Sequence, residues 1–288
     1  MAIDNHIRNP VEWGAQRFIE TTHAVGRAAH SLRLPRESAE LPAVRRIGLE
    51  DIRIAIARGI DDLGAYRTDA ISIVLIYPLA GIVLVVAAAT QNLLPLVFPL
   101  ASGFALIGPI AGIGLYALSR RRELEAAGAK DVRASPAYGS IAIVGLLLIA
   151  IFIAWLAIAY WIYLATLGPE PPQSTVAFIR DVLTTGAGRT MIVVGVGVGF
   201  LFAVAALAIG VVSFPLMLDR PVGPLTAVLT SVRAVAKNPG AMAVWGAIVA
   251  AGLVIGSAPA LIGLVIVIPL LGHATWHLYR RLIPRQPA

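Results

Sequence analysis

Six apolar runs of membrane-crossing length dominate this 288-residue chain and leave few folds open to it. They cover about 70–90, 93–119, 141–167, 191–218, 241–257 and 258–279. A helix needs roughly 20 apolar residues to cross the hydrocarbon, with a range of about 17–25. The fifth run, with 17 residues, meets the lower limit, and the longer ones must tilt or protrude. Merging the last two would give one run of 39 residues, so Ser257-Ala258-Pro259 is taken as a turn. Composition agrees with this reading. Hydrophobic residues make up 58% of the chain and charged residues 14%, where a soluble domain carries about a quarter charged. The expected fold is therefore an all-α polytopic membrane protein with six transmembrane helices.

Lys and Arg fix the orientation. Ten lie before the first run, five between the second and third, three between the fourth and fifth, and three after the sixth. The opposite side holds two, Arg180 and Arg189. A split of 21 to 2, or 11 to 2 without the long N-terminal segment, predicts both termini in the cytoplasm. The net charge of +7 is thus topogenic, and nucleic acid is not an expected partner. Arginine outnumbers lysine 21 to 2, a usage that points to a bacterial genome and so to a bacterial cytoplasmic membrane. No signal peptide is read, because no apolar core precedes Ala70.

Residues 1–48 read as a cytoplasmic extension and residues 49–288 as the membrane domain. In the extension, Val11, Ala15, Phe18, Thr22, Val25, Ala29 and Leu32 draw one narrow apolar stripe, and Pro35 to Pro42 form a linker. Such a helix suits docking to a membrane-protein partner. A second amphipathic segment, Leu49 to Tyr66, puts Ile52, Ile56, Ile60 and Leu63 on one face, with Arg53, Arg58, Asp61 and Asp62 elsewhere. Two more amphipathic helices are expected in loops. One begins at Pro224 and is stopped by Asn238-Pro239-Gly240; the other is capped by Ser174 on the outer side.

Two groups carry candidate chemistry. His273 and His277 lie four apart on one helical face of the last run. Counted from Ala258 at about 1.5 Å per residue, His273 lies roughly 22 Å from the outer boundary. The pair can relay protons or hold a haem or quinone; the simpler reading is a neutral core His273, with His277 beside Trp276 and Tyr279 in an aromatic belt. Zinc needs a third protein ligand, so neither a metal nor a cofactor is expected. Asp219-Arg220 closes the fourth run at the depth of His277, Tyr116 and Arg120, a set suited to a headgroup or carboxylate, or to clamping the bundle. With no cysteine, no paired acids within a run and no Gly-x-Ser-x-Gly or Walker motif, no catalytic residue is assigned and no enzyme is expected. A faint parallel repeat sets Pro109, Gly112, Tyr116 and Arg120 against Pro269, Gly272, Trp276 and Arg280.

Phe214 to Arg220, Ala234 to Pro239, Trp245-Gly246 and Pro269 to Arg280 resemble a family of uncharacterised bacterial integral membrane proteins, defined as a domain of unknown function. Gly103 to Pro109, Gly114-Leu115-Tyr116 and Ser119-Arg120-Arg121 look like the same family's second-span motif. The resemblance covers roughly Leu49 to Arg281 and implies no activity. Its members are sometimes labelled cytochrome c oxidase subunit I, but a haem–copper core needs six histidine ligands over several spans. This chain has two intramembrane histidines, on one helix. The leading functional expectation is a non-enzymatic accessory or scaffold protein, or a lipid or small-anion binding module. The alternatives are a transporter or channel with a cytoplasm-facing polar path, and a redox subunit binding haem or quinone at His273/His277.

Overall fold

The computed structural model describes residues 41–66, 74, 79, 81–83, 86, 94–128, 136–259 and 261–285. The N-terminal stripe of residues 11–32 and most of the first apolar run lie outside the described residues. Among the described residues ten α-helices follow one another: α1 (Leu49–Ala65), α2 (Val97–Ala111), α3 (Ile113–Ala126), α4 (Tyr138–Thr166), α5 (Thr175–Thr184), α6 (Gly186–Gly210), α7 (Ser213–Asp219), α8 (Pro224–Lys237), α9 (Pro239–Ser257) and α10 (Leu264–Leu282). No strand occurs among the described residues.

Among the described residues three helical stretches are long and apolar enough to cross a membrane: Tyr138–Thr166, Gly186–Asp219 and Pro239–Ser257. Their outward sides carry Leu146, Ile153, Trp161, Val193, Phe200 and Val254, each 60–72% exposed. A water-soluble surface rarely carries so much contiguous apolar area, whereas hydrocarbon accepts it without cost. These helices match the third, fourth and fifth runs closely.

The second and sixth runs differ from expectation. The second, expected to be continuous over 93–119, breaks at Gly112 into α2 and α3. The break is a single turn residue over which the Tyr116 ring folds, and α2 runs on for two residues beyond Pro109 before reaching it. The Pro109 ring lies in the crossing of α2 and α6, where a Cβ added at Gly210 would meet Pro109 Cγ at 2.7 Å. The sixth run becomes helical only at Leu264, after a turn in which Leu261 has a left-handed φ of 68°. His273 therefore lies about 14 Å along α10 rather than roughly 22 Å into the run. Pro269 does not break α10, so the two arms of the faint repeat are built differently.

A break within the fourth run places its polar end. Pro215 cannot continue α6, so the chain turns at Val211-Val212 and restarts as α7. The Val212 N–H donates to Ser231 Oγ on α8 at 3.1 Å, and Ser213 Oγ donates back to the Ile209 carbonyl at 2.5 Å. Phe214, Leu216 and Met217 are fully buried in α7. The Ala137 N–H donates to the Met217 carbonyl at 2.9 Å, and Ser140 Oγ to the Val222 carbonyl at 2.9 Å, tying the start of α4 to the α7–α8 corner. The loop helices follow the sequence: α8 starts with Pro224 at its first turn and stops at Asn238, and Ser174 caps α5 by accepting from the Ala177 N–H at 3.1 Å.

The first amphipathic segment packs on the expected face at Ile52, Ile56 and Leu63, but that face is widened towards small residues and leaves Ile60 out. Its buried positions are Ile52, Ala55, Gly59 and Asp62, while Ile60 is 54% exposed. Small residues let α1 lie directly on α10: a Cβ at Gly59 would sit 2.8 Å from the Ala274 backbone nitrogen. Residues 41–48 are fastened to the same end. Asn238 Oδ1 accepts from the Ile47 N–H at 2.8 Å, Lys237 Nζ donates to the Val44 carbonyl at 2.6 Å, and the Arg45 N–H donates to the Leu282 carbonyl at 2.8 Å.

Candidate functional site

One end of α10 gathers most of the buried polar chemistry. Spacings of three and four put His273, His277 and Arg280 along one face, with Trp276 and Tyr279 beside it. Three neighbouring helices bring the carboxylates. α1 supplies Asp62, which is 4% exposed, and α3 supplies Glu123, while Asp219 arrives at the end of α7.

Asp62 is the centre of the first group. Its Oδ2 accepts from Ser119 Oγ at 2.5 Å and from His277 Nε2 at 2.8 Å, and its Oδ1 accepts from Arg122 Nη1 at 2.6 Å. Burial alone would raise this carboxyl, but hydrogen bonds from His277 and Ser119 and the Arg122 guanidinium hold it below its ordinary value of 3.8. Ser119 Oγ also lies 2.8 Å from His273 Nδ1. His273 is fully buried, and among the described residues its Nε2 has no hydrogen-bond partner.

Arg280 joins the second group. Its Nη1 and Nη2 grip Asp219 at 2.7 Å each, and its Nε donates to Glu123 Oε2 at 2.9 Å. Its guanidinium carbon lies 4.7 Å above the Trp276 ring. Tyr279 OH donates to Asp219 Oδ2 at 2.6 Å, and Trp276 Nε1 to Glu123 Oε2 at 3.0 Å. Burial works against the Glu123 carboxylate, but Arg280 and Arg285 outweigh it and hold the group below its ordinary 4.5. Arg220 adds a longer contact to Asp219, at 3.4 Å, and bonds the Pro284 carbonyl. A planar guanidinium suits this place, because one ammonium cannot serve two carboxylates and an aromatic face at once.

The candidate residues divide between these groups. His273 reaches Asp62 through Ser119 and His277 bonds it directly, while Arg220 and Arg280 meet at Asp219. His277 is not beside an aromatic belt facing lipid, since Trp276 and Tyr279 are fully buried and bonded to carboxylates. Tyr116 is buried on α3 with its ring folded over Gly112, and Arg120 is half-buried one turn later. Asp62 and Glu123 were not among the candidates. The signal for Asp62 was present in the 52–55–59–62 spacing; nothing local marks Glu123. Among the described residues no three His, Cys, Asp or Glu converge as metal ligands, and the engagement of His277 Nε2 by Asp62 leaves no free histidine pair.

Two open clefts of about 240 Å³ each flank Glu123 and Arg280. Together they are lined by five arginines (Arg58, Arg122, Arg220, Arg280, Arg285) and four acids (Asp61, Asp62, Glu123, Asp219). Arg220 and Arg280 are as buried as Asp219, whereas two other arginines reach outward over the acids they bond. Arg122 is 40% exposed over Asp62 at 5%, and Arg285 is 62% exposed over Glu123 at 17%.

Residues 97–219 match a family described as predicted integral membrane protein (DUF2189). The match takes in Ser119, Arg122, Glu123 and Asp219, while Asp62, His273, His277 and Arg280 lie on either side of it. It is narrower than the Leu49 to Arg281 resemblance and supports its central point, an uncharacterised integral membrane family. No curated protein and no solved structure matches the chain.

Proposed function

We propose that this integral membrane protein is a non-enzymatic, anion-binding module of the bacterial cytoplasmic membrane, with six spans and both termini inside. The anions it receives at the cytoplasmic end of α10 carry phosphate, as lipid headgroups do. One observation carries this reading: Arg122 and Arg285 lie outside the carboxylates they bond, Asp62 and Glu123, so the face offered to a ligand is cationic although the charges nearly balance. The Lys and Arg distribution puts that face towards the cytoplasm, beside an anionic leaflet. Near such a surface each arginine contributes about 1 kcal/mol.

Arg58 and Arg285 are the residues to change, because Arg122 and Arg280 also hold the bundle together. The purified protein in nanodiscs containing phosphatidylglycerol should retain that lipid on release into detergent, read by native mass spectrometry. The double variant Arg58→Ala/Arg285→Ala should lose it roughly 30-fold, from two contributions of about 1 kcal/mol. Competition by inorganic phosphate would assign the site to free anion as well as headgroup. Equal retention of phosphatidylcholine, or no change in the double variant, would overturn the proposal.

A further inference from the structure

The buried string His273–Ser119–Asp62–His277 has a direction that the hydrogen-bond distances fix. Ser119 has one hydroxyl proton and two neighbours, at 2.5 Å and 2.8 Å. The shorter contact is to a carboxylate that also accepts from Arg122 and His277, so the hydroxyl donates to Asp62. Ser119 Oγ can then only accept from His273, which places a proton on Nδ1. That leaves Nε2 of a fully buried imidazole as a bare lone pair, the atom without a partner among the described residues. The arrangement resembles the way a carboxylate sets the tautomer of a catalytic or metal-bound histidine, with a serine inserted between.

We propose that His273 is a buried proton acceptor, and that Ser119 and Asp62 are the path by which a proton taken up at its Nε2 reaches the cleft. Uptake at Nε2 makes the imidazolium. Its Nδ1–H moves to Ser119 Oγ as the serine proton moves to Asp62 Oδ2, and Asp62 releases one proton to water. One proton enters and one leaves; His273 is left as the neutral Nε2–H tautomer with the Ser119 hydroxyl turned towards Nδ1. The same transfers run in reverse, with Asp62 taking a proton from water and Nε2 giving one up, restore the starting state. Asp62, Ser119 and His277 all line one of the 240 Å³ clefts, so the outlet is open to solvent. Facing it are Arg58 and Asp61 from α1, Arg122 and Glu123 from α3, Arg280 from α10, and Arg285. This placement does not rest on the headgroup reading, and it uses the topology only to say which compartment the cleft faces.

Nitrogen NMR of the full-length protein with ¹⁵N-labelled histidine, in nanodiscs at neutral pH, tests it. His273 should show a protonated Nδ1 and an unprotonated Nε2. Ser119→Ala should abolish that preference and slow solvent exchange of the ring proton more than tenfold, with neighbouring backbone exchange unchanged. Ser119→Thr keeps the hydroxyl and should restore both. A merely loosened helix would speed ring and backbone exchange together and so overturn the path. An Nε2–H tautomer in the native protein, or one indifferent to Ser119→Ala, would overturn the base.

Discussion

Replacing Asp219 with alanine should lower unfolding stability by about 3 kcal/mol, far more than its position at a helix end suggests. Asp219 and Arg280 are 13% and 12% exposed, so water screens neither. The substitution removes both acceptors of the bidentate grip and the acceptor of the buried Tyr279 hydroxyl. Breaking a buried pair from one side typically costs about 3–5 kcal/mol, because the surviving charge stays buried without its partner. The low end is expected because Glu123 still receives Arg280 Nε at 2.9 Å. Tyr279→Phe removes one hydrogen bond from a group that keeps others and should cost about 1 kcal/mol. Reversible unfolding in mixed micelles ranks the two. As a control, Arg53→Ala, which removes an exposed pair with Glu50, should leave the midpoint unmoved. If Asp219→Ala and Arg53→Ala behaved alike, the buried cluster would not be holding the end of the bundle together.

Gly59→Leu should do comparable damage for a steric reason. A Cβ at this position would stand 2.8 Å from the Ala274 backbone nitrogen and 2.9 Å from its Cβ, and backbone cannot swing aside as a long side chain does. α1 must then lift from α10, at a cost of about 3 kcal/mol for overpacking alone. Displacing α1 also draws Asp62 away from His277 and Ser119, which lie on the facing helices. Gly64 on the same helix has open space around its would-be Cβ. Gly64→Ala should therefore stabilise, by up to about 1 kcal/mol from helix propensity. Opposite signs for two glycines five residues apart would place the contact face on the 52–55–59–62 line. Equal effects would remove that face.

That same face shows where sequence reading reached its limit. Apolar bulk is easy to see, and it correctly located α4, the α6–α7 run and α9, as well as the Pro224 and Ser174 starts of α8 and α5. The α1 face was assigned to Ile52, Ile56, Ile60 and Leu63 because large side chains dominate any hydropathy pattern. Ile52, Ile56 and Leu63 do pack against the core, but close helix contact also selects small residues, so Ala55 and Gly59 are buried beside them and Ile60 points outward. Asp62 was placed with the polar residues because an aspartate usually marks solvent; here three donors make its burial tolerable. Glu123 follows a run of three arginines that reads as a topogenic signal, and its partners Trp276, Arg280 and Arg285 lie more than 150 positions away. Pairing at that range leaves no local trace. His273, His277, Asp219 and Arg220 stood out because a titratable group near hydrocarbon is costly and therefore conspicuous.

The central claim is that the ionisable groups of α1, α3, α7 and α10 share one end of the molecule and that this end faces the cytoplasm. The chain has no cysteine, so single cysteines report position without background. Cysteines at Arg58, Arg285 and Glu170 should be treated with a membrane-impermeant maleimide in intact spheroplasts and in inverted vesicles. Positions 58 and 285 should label only in inverted vesicles, and position 170, in the loop before α5, only in spheroplasts. Labelling of 58 and 285 from opposite sides, or of 170 and 285 from the same side, would contradict the account.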